Sequence, residues 1–128
     1  MTSKRPTFLD LSKISLPLPA LTSICHRISG LFLALSMPFI ALLFYLSLKS
    51  ETGFLAVTSL KGTLSLGSLW LWAFLLALSY HFYAGVRHLL MDLHFFEELG
   101  SARWSAKVLF ALFFLEAVVL TLWFWEII

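Results

Sequence analysis

The chain has 128 residues, of which 60% are hydrophobic and 12% are charged, and its mean hydropathy is +0.92. A soluble domain of this size would expose much of that apolar surface to water, so the composition excludes a small water-soluble fold and favours a protein of the lipid bilayer. The net charge of +2 comes from basic residues that serve membrane topology, so we expect no nucleic-acid partner, and the lone cysteine, Cys25, excludes an internal disulfide.

The first predicted span is built on the uncharged run Ile28–Leu48, which is close to the roughly 20 residues needed to cross the hydrocarbon core. Pro17 and Pro19 suit the approach and the first turn of a helix, but not its interior. The helix is therefore expected to begin before the uncharged run, and the span is placed at about 21–49. Pro38 lies inside this span and predicts a kink.

Two further spans follow in chain order. The second is placed at about 64–90, around the uncharged run Leu64–Val86. The third is placed at about 104–127 and is interrupted only by Glu116 and Glu126. We therefore predict an all-α membrane protein with three transmembrane helices running up-down-up.

A short polar loop at 49–61 and a charged segment at 87–103 connect the spans, and residues 1–128 form a single membrane domain. Neither a signal peptide nor a transit peptide is expected at Met1–Pro6, so the first apolar segment should stay as an anchor. Lysine and arginine accumulate on cytoplasmic flanks, and only Lys49 and Lys61 lie on the far side. The N-terminus is therefore predicted in the cytoplasm or matrix, together with the other basic residues: Lys4, Arg5, Lys13, Arg27, Arg87, Arg103 and Lys107.

His81 stands out because it lies inside the second span, where an imidazole must find a partner. It falls on one helical face with three alanines and a second histidine, within about 80° of arc. Small residues let a backbone or a flat macrocycle approach the helix. The functional hypothesis is therefore that His81 binds haem iron. The alternative is a hydrogen bond from His81 to a neighbouring helix. The residues of this face are Ala73, Ala77, His81, Ala84 and His88.

His81 and His88 are separated by about 10.5 Å along the helix axis, so they cannot both bind one iron. A six-coordinate haem would then take its second histidine from another subunit. His88 follows Arg87 at the membrane interface, which suits a partner for haem propionates. A solvated interfacial histidine is the alternative for His88.

A second polar group lies at the start of the first span and consists of Ser23, His26 and Arg27. Ser23 and Arg27 share a helical face, which predicts a polar pocket at the membrane surface. Arg27 could bind a carboxylate, a phosphate or a polarised carbonyl. Alternatively, it is a topological anchor that reaches lipid phosphate. Cys25 is interpreted as a packing residue.

Two other polar features have weaker interpretations. The acidic residues around His94 could bind a metal, but a solvated, salt-bridged connection is favoured. Glu116 lies in mid-span and must be protonated, paired or facing a cavity. No specific role is assigned to Glu116. The acidic residues around His94 are Asp92, Glu97 and Glu98.

Two motifs together resemble one family. They are SICHRISG at positions 23–30 and HFYAGVRHLLMD at positions 81–92. In this combination, and with likeness over nearly the whole chain from Arg5 onward, the sequence resembles the larger cytochrome b membrane-anchor subunit of succinate dehydrogenase, respiratory complex II. The third helix carries no signature of this family.

The resemblance implies a haem b-binding membrane subunit, without catalytic activity alone, in a complex that passes electrons from succinate to ubiquinone. It implies a second three-helix anchor that shares the haem, and an iron–sulfur subunit and a flavoprotein subunit on the cytoplasmic or matrix side. His81 matches the axial haem ligand, Ser23 and Arg27 match the quinone pocket, and His26 and His88 match positions near the haem propionates, which Arg27 could also contact.

Two other functions stay open: the anchor of a fumarate reductase, which runs the reaction in reverse, and a haem-free structural or transport subunit. The expected location is a bacterial inner membrane rather than a mitochondrial one, with lipid around the helices.

Overall fold

The computed structural model describes residues 16–128, and within this range all regular structure is helical. The helices are α1 (Leu18–Lys49), α2 (Glu51–Thr58), α3 (Leu66–Asp92) and α4 (Leu99–Phe124). Three of them, α1, α3 and α4, are long and apolar enough to cross a membrane. The predicted all-α membrane fold is confirmed. The predictions for Met1–Pro6, Lys4, Arg5 and Lys13 concern positions outside the described residues.

Helix α1 has 32 residues and is about 48 Å long at 1.5 Å per residue. It begins directly after Pro17, and Pro19 occupies its first turn, where a missing backbone donor removes no helical hydrogen bond. The prediction that this helix starts before its uncharged run is therefore confirmed. Pro38 lies inside the helix, which continues to Lys49.

The segment after α1 differs from the expected loop. Residues Glu51–Thr58 form a helix, because the Ser50 side chain accepts a hydrogen bond from the Gly53 N–H at 3.0 Å and Glu51 lies in the first turn. Gly53 also permits a close approach to α1, since a Cβ at this position would lie 2.2 Å from the Leu46 carbonyl oxygen. The prediction of a loop is wrong over these eight residues.

The charged connection is also shorter than expected. Helix α3 continues through Asp92 and α4 begins at Leu99, so only residues 93–98 link them. His94 and Phe96 in this link have positive φ angles of 65° and 62°. Such values are uncommon for residues other than glycine, and the tight reversal between two antiparallel helices accounts for them.

Helices α1, α3 and α4 contact one another pairwise and form a three-helix bundle, with α2 packed against α1. Tyr80, Ala84 and Leu109 form the core cluster, and Cys25 packs against it, which agrees with its interpretation as a packing residue. Most large apolar side chains point outward; Leu35, for example, is 73% exposed. Lipid can cover these side chains, so the bundle needs only a small core.

A polar contact closes the end of the bundle opposite the link at 93–98. The Gly62 N–H donates to the Phe124 carbonyl at 2.9 Å, and Lys61 pairs with Glu126 at 3.7 Å. Gly62 has φ +74°, and a Cβ there would collide with the Glu126 carboxylate at 2.7 Å. This glycine therefore allows the loop before α3 to dock on the end of α4.

Candidate functional site

Three histidines from two helices meet between α1 and α3. The rings of His26 and His81 are stacked, with centroids 4.1 Å apart and planes 18° apart. The ring of His88 lies 5.0 Å from that of His26. His26 thus bridges the two histidines of α3, which are too far apart along their own helix to share one small ligand atom. This histidine cluster (His26, His81 and His88) joins residues that belong to two separate sequence motifs.

The hydrogen bonds of His81 determine which ring nitrogen is free. Its Nδ1 lies 3.2 Å from the His26 carbonyl oxygen and 3.1 Å from Ser29 Oγ. A carbonyl oxygen can only accept, so Nδ1 carries the hydrogen and donates it, and Nε2 keeps its lone pair. Histidines that hold a metal typically donate their other N–H to a carbonyl or carboxylate in this way. His81 therefore has the tautomer and the fixed ring orientation of a metal ligand.

Gly30 makes room for the His81 ring on the facing helix. A Cβ built on Gly30 would lie 2.9 Å from His81 Cε1 and 3.4 Å from Nδ1. Because both helices are tightly packed here, the imidazole would have to move if this glycine carried a side chain. The glycine of the first motif and the histidine of the second are thus sterically matched.

His26 contains an unsatisfied polar atom. Its Nε2 is buried and has no hydrogen-bond partner among the described residues. A buried polar group without a partner costs about 1–3 kcal/mol, so this atom favours a bound polar group beside it. The missing side chain of Gly85 leaves room beside it, since a Cβ at that position would be in van der Waals contact with Nε2 at 3.7 Å. A carboxylate or another acceptor could approach through this space.

The alanines on the predicted small-residue face of α3 have two different surroundings. Ala84 is only 1% exposed and packs in the core between the helices. Ala73 and Ala77 instead line an open groove of about 460 Å³ between the helices, together with Ser29. Only the latter two alanines leave open space beside the helix.

Ser23 and Arg27 lie on the outer side of α1, beside the histidine cluster rather than in it. Ser23 is half-buried and Arg27 is exposed. Within residues 16–128, neither side chain forms a hydrogen bond. They are one helical turn apart on the same face, so both polar groups are available to one molecule at the membrane surface.

Arg87 is the residue whose position the sequence did not indicate. The sequence analysis placed it at the membrane interface without indicating its burial, and in the structure it is only 5% exposed and lies within the bundle. Its Nε donates to Ser105 Oγ at 3.0 Å, its Nη2 to the Ala102 carbonyl at 3.2 Å, and its Nη1 to Thr22 Oγ1 at 3.4 Å. The guanidinium therefore connects all three spanning helices. One signal existed in the sequence, because Arg87 shares a face of α3 with Tyr80 and Ala84.

Tyr80 adds a second hydrogen bond between α3 and Thr22 of α1. Its hydroxyl donates to the Thr22 carbonyl at 3.1 Å, and the residue is 6% exposed. Thr22 thus receives hydrogen bonds from two residues of α3, through both its side chain and its backbone. This Arg87 network (Thr22, Tyr80, Arg87, Ala102 and Ser105) holds α1 in register with α3 immediately before Ser23 and His26.

The structure also places the two other polar features, the acidic residues around His94 and the mid-span Glu116. His94 pairs with Glu97 on the surface at 2.5 Å, in agreement with the favoured salt-bridged connection. Among residues 16–128, no group of three or more histidine, cysteine or acidic side chains could hold a metal ion. Glu116 faces a cavity on the α3–α4 side, one of the situations expected for a carboxyl in mid-span.

Comparison with known proteins gives matches over most of the chain. The family model described as succinate dehydrogenase/fumarate reductase transmembrane subunit matches residues 1–121. The chain is also 38% identical over 128 residues to the succinate dehydrogenase cytochrome b556 subunit of Coxiella burnetii, a match that covers 98% of this chain and 100% of the relative.

Proposed function

Because the chain belongs to the family of succinate dehydrogenase/fumarate reductase transmembrane subunits, we propose that it binds one haem b together with a second membrane chain and helps to pass electrons from succinate oxidation to ubiquinone. It is a membrane-anchor subunit of succinate dehydrogenase, an oxidoreductase complex. In this subunit, the residues discussed below would bind the haem and the quinone.

The orientation of His81 carries the haem proposal. In the neutral tautomer in which Nδ1–H donates to the His26 carbonyl, Nε2 keeps its lone pair and would hold the haem iron. Bound haem b supplies an iron that accepts and releases single electrons. The residues present fit this group, because Gly30 leaves room for the ligand ring and the buried His26 Nε2 has no partner among residues 16–128.

His26 and His88 are the residues that would hold the haem carboxylates. His26 Nε2 can donate to a carboxylate if its hydrogen is on that nitrogen, and His88 lies one ring away from it. Arg27, which follows His26 in the chain, could add a charge-assisted hydrogen bond from the membrane surface. These three side chains would orient the macrocycle relative to His81.

Ser23 and Arg27 are proposed to bind the quinone. The Ser23 hydroxyl can donate to a quinone carbonyl oxygen, and the Arg27 guanidinium can donate to the same oxygen. Reduction places negative charge on this oxygen, which the arginine charge stabilises more strongly than it stabilises the neutral quinone. The positions of the half-buried Ser23 and the exposed Arg27, one helical turn apart at the start of α1, support this role.

The proposal requires partners. In this chain His81 is the residue that would hold the iron, and a second histidine for the same iron would come from another membrane subunit. The iron–sulfur and flavoprotein subunits would bind on the side of the N-terminus, in the bacterial cytoplasm, and the complex would lie in the inner membrane. The family description also includes fumarate reductase, and the quinone species used by the complex distinguishes the two directions of the reaction.

Substitution Arg27→Ala tests the quinone site. We expect kcat/KM for ubiquinone reduction to fall about 10- to 100-fold, the equivalent of one hydrogen bond to a charged group. Succinate oxidation with a soluble artificial acceptor should stay unchanged. Arg103→Ala, at another exposed arginine, is the control and should affect neither activity. An equal loss of both activities in Arg27→Ala would contradict the proposed role.

Substitution Gly30→Ala tests the steric match between α1 and the His81 ring. The added methyl should displace the imidazole and lower the haem content of the purified complex, with a change in the reduced-minus-oxidised spectrum. Gly100→Ala is the matched control, because nothing lies within 4 Å of a Cβ there. If Gly30→Ala and Gly100→Ala both gave wild-type spectra, the geometry assigned to His81 would be wrong.

A further inference from the structure

Tyr80 is bonded to α1, and the proposed function assigns it no role. Its hydroxyl donates to the Thr22 carbonyl at 3.1 Å, and Nδ1 of the next residue, His81, lies 3.2 Å from the His26 carbonyl. The two carbonyls are one helical turn apart on the same side of α1. Two consecutive residues of α3 thus bond to two consecutive turns of α1.

The carbonyl that Tyr80 contacts belongs to the turn that carries the proposed ligand-binding residues. In an α-helix, the carbonyl of residue 22 accepts the N–H of residue 26, so the Thr22 oxygen serves both His26 and Tyr80. Ser23, His26 and Arg27 all lie within the five residues that follow Thr22. A displacement of this carbonyl would therefore move the backbone that carries these three side chains.

The start of α1 depends on contacts with other helices. Its N-cap residue is Pro17, whose side chain cannot accept a hydrogen bond, and its first turn contains no acidic residue. Helix ends of this kind fray unless other contacts hold them. Thr22 receives two such contacts, at its carbonyl from Tyr80 at 3.1 Å and at its hydroxyl from Arg87 at 3.4 Å. The bond from Tyr80 is the shorter of the two and is the one made to the backbone.

The ring of Tyr80 is held in turn by α4. It packs edge-on against Phe113, with centroids 5.2 Å apart and planes 85° apart, and its centroid lies 6.0 Å from that of Phe110. The residue is buried in the core cluster, so the ring has little room to rotate. Aromatic packing against α4 thus directs the hydroxyl towards α1.

We propose that Tyr80 is a positioning residue, whose hydrogen bond to the Thr22 carbonyl fixes Ser23, His26 and Arg27 relative to His81. The inference rests on the proposed function, because these are the residues proposed to bind haem and quinone. Tyr80 acts through the backbone of α1 and not by contact with either ligand. Helix α4, which carries neither motif, influences the site through the ring of Tyr80.

Substitution Tyr80→Phe removes the hydroxyl and keeps the ring. In the purified complex we expect KM for ubiquinone to rise about 3- to 10-fold, the equivalent of one neutral hydrogen bond, with kcat nearly unchanged. Succinate oxidation with a soluble artificial acceptor should stay unchanged. The haem midpoint potential should rise, because the His26 carbonyl would be held less firmly against His81 Nδ1 and the imidazole would become less basic.

Two matched variants separate positioning from a general loss of stability. Tyr83→Phe removes a hydroxyl from the same helix, at a residue that lines the groove containing Glu116. Ser105→Ala removes the hydroxyl that accepts from Arg87 Nε, so it weakens the contact between α3 and α4 without touching α1. Both variants should keep the wild-type KM and potential. If Ser105→Ala changed them as much as Tyr80→Phe does, reduced stability would explain the effect and the proposal would be overturned.

Hydrogen exchange of the complex, followed by mass spectrometry, gives a readout that requires neither haem nor quinone. Tyr80→Phe should speed exchange about fivefold in peptides that cover residues 22–27, because the start of α1 loses one of its external contacts. Tyr83→Phe should leave exchange in these peptides unchanged. Faster exchange in Tyr80→Phe with wild-type KM and potential, in a complex that contains haem, would restrict Tyr80 to a structural role and overturn the proposal.

The haem spectrum of the wild-type preparation separates this inference from the proposed function. Faster exchange in Tyr80→Phe, in a complex without a haem signal, would refute the haem but support the control of α1 by Tyr80. A haem signal in the wild type, together with unchanged exchange, KM and potential in Tyr80→Phe, would support the haem and refute the positioning role.

Discussion

Replacement of His81 by alanine should abolish the haem signal in the reduced-minus-oxidised spectrum of the purified complex. His81 is the one histidine of the cluster whose Nδ1 is bonded to a backbone carbonyl, which leaves Nε2 free for the iron. The backbone of α1 and α3 does not depend on this ring, so helical content measured by circular dichroism should be retained.

A control and a second variant make the result for His81 specific. His94→Ala removes an exposed histidine from the link between α3 and α4 and should leave the spectrum unchanged. Ser29→Ala removes one of the groups that hold His81 Nδ1, and we expect about tenfold weaker retention of haem from the loss of this supporting contact. A wild-type spectrum in His81→Ala would refute its role as the ligand.

Replacement of Arg87 should have the largest effect on stability. Arg87→Ala removes three hydrogen bonds that connect α3 to α1 and α4, and it leaves a cavity inside the bundle. The expected loss is about 2–4 kcal/mol. Thermal unfolding of the detergent-solubilised complex, followed by circular dichroism, would measure it.

Further variants of the Arg87 network identify the physical cause. Arg87→Lys should recover only part of the stability, because an ammonium cannot reproduce the planar fork that reaches Thr22 and Ala102. Arg87→Met fills the volume without the hydrogen bonds and should be intermediate. If Arg87→Met were as stable as the wild type, packing rather than hydrogen bonding would explain the role of this residue.

The fold was largely predictable because hydropathy and length determine where a chain crosses a bilayer. The three spans and the early start of α1 follow from local patterns, namely uncharged runs and prolines near a helix end. Helix α2 was missed because its eight residues are short and lack a clear periodicity. Its signal was the cap at Ser50, which accepts from the backbone of Gly53.

The individual residues of the candidate site were predictable from the sequence, but the positions of their side chains relative to one another were not. The motifs identified His26, His81 and His88, and the resemblance to a haem-binding family implied that all three lie around one haem. The stacking of His26 on His81 and the fit of Gly30 against that ring depend on the rotation of α1 relative to α3. No property of either helix alone specifies this rotation.

Hydropathy and motifs were enough to predict a membrane protein with three spanning helices, and the residues proposed for haem and quinone were chosen from the same motifs. The burial of Arg87, the contacts of His81 Nδ1 and the groove shared by Ser79 and Glu116 became apparent only from the packing of the helices. The physical reason is that lipid and protein interior are equally apolar, so hydropathy cannot distinguish them. Contacts between helices, made by small residues and hydrogen bonds, decide which face of each helix is turned inward.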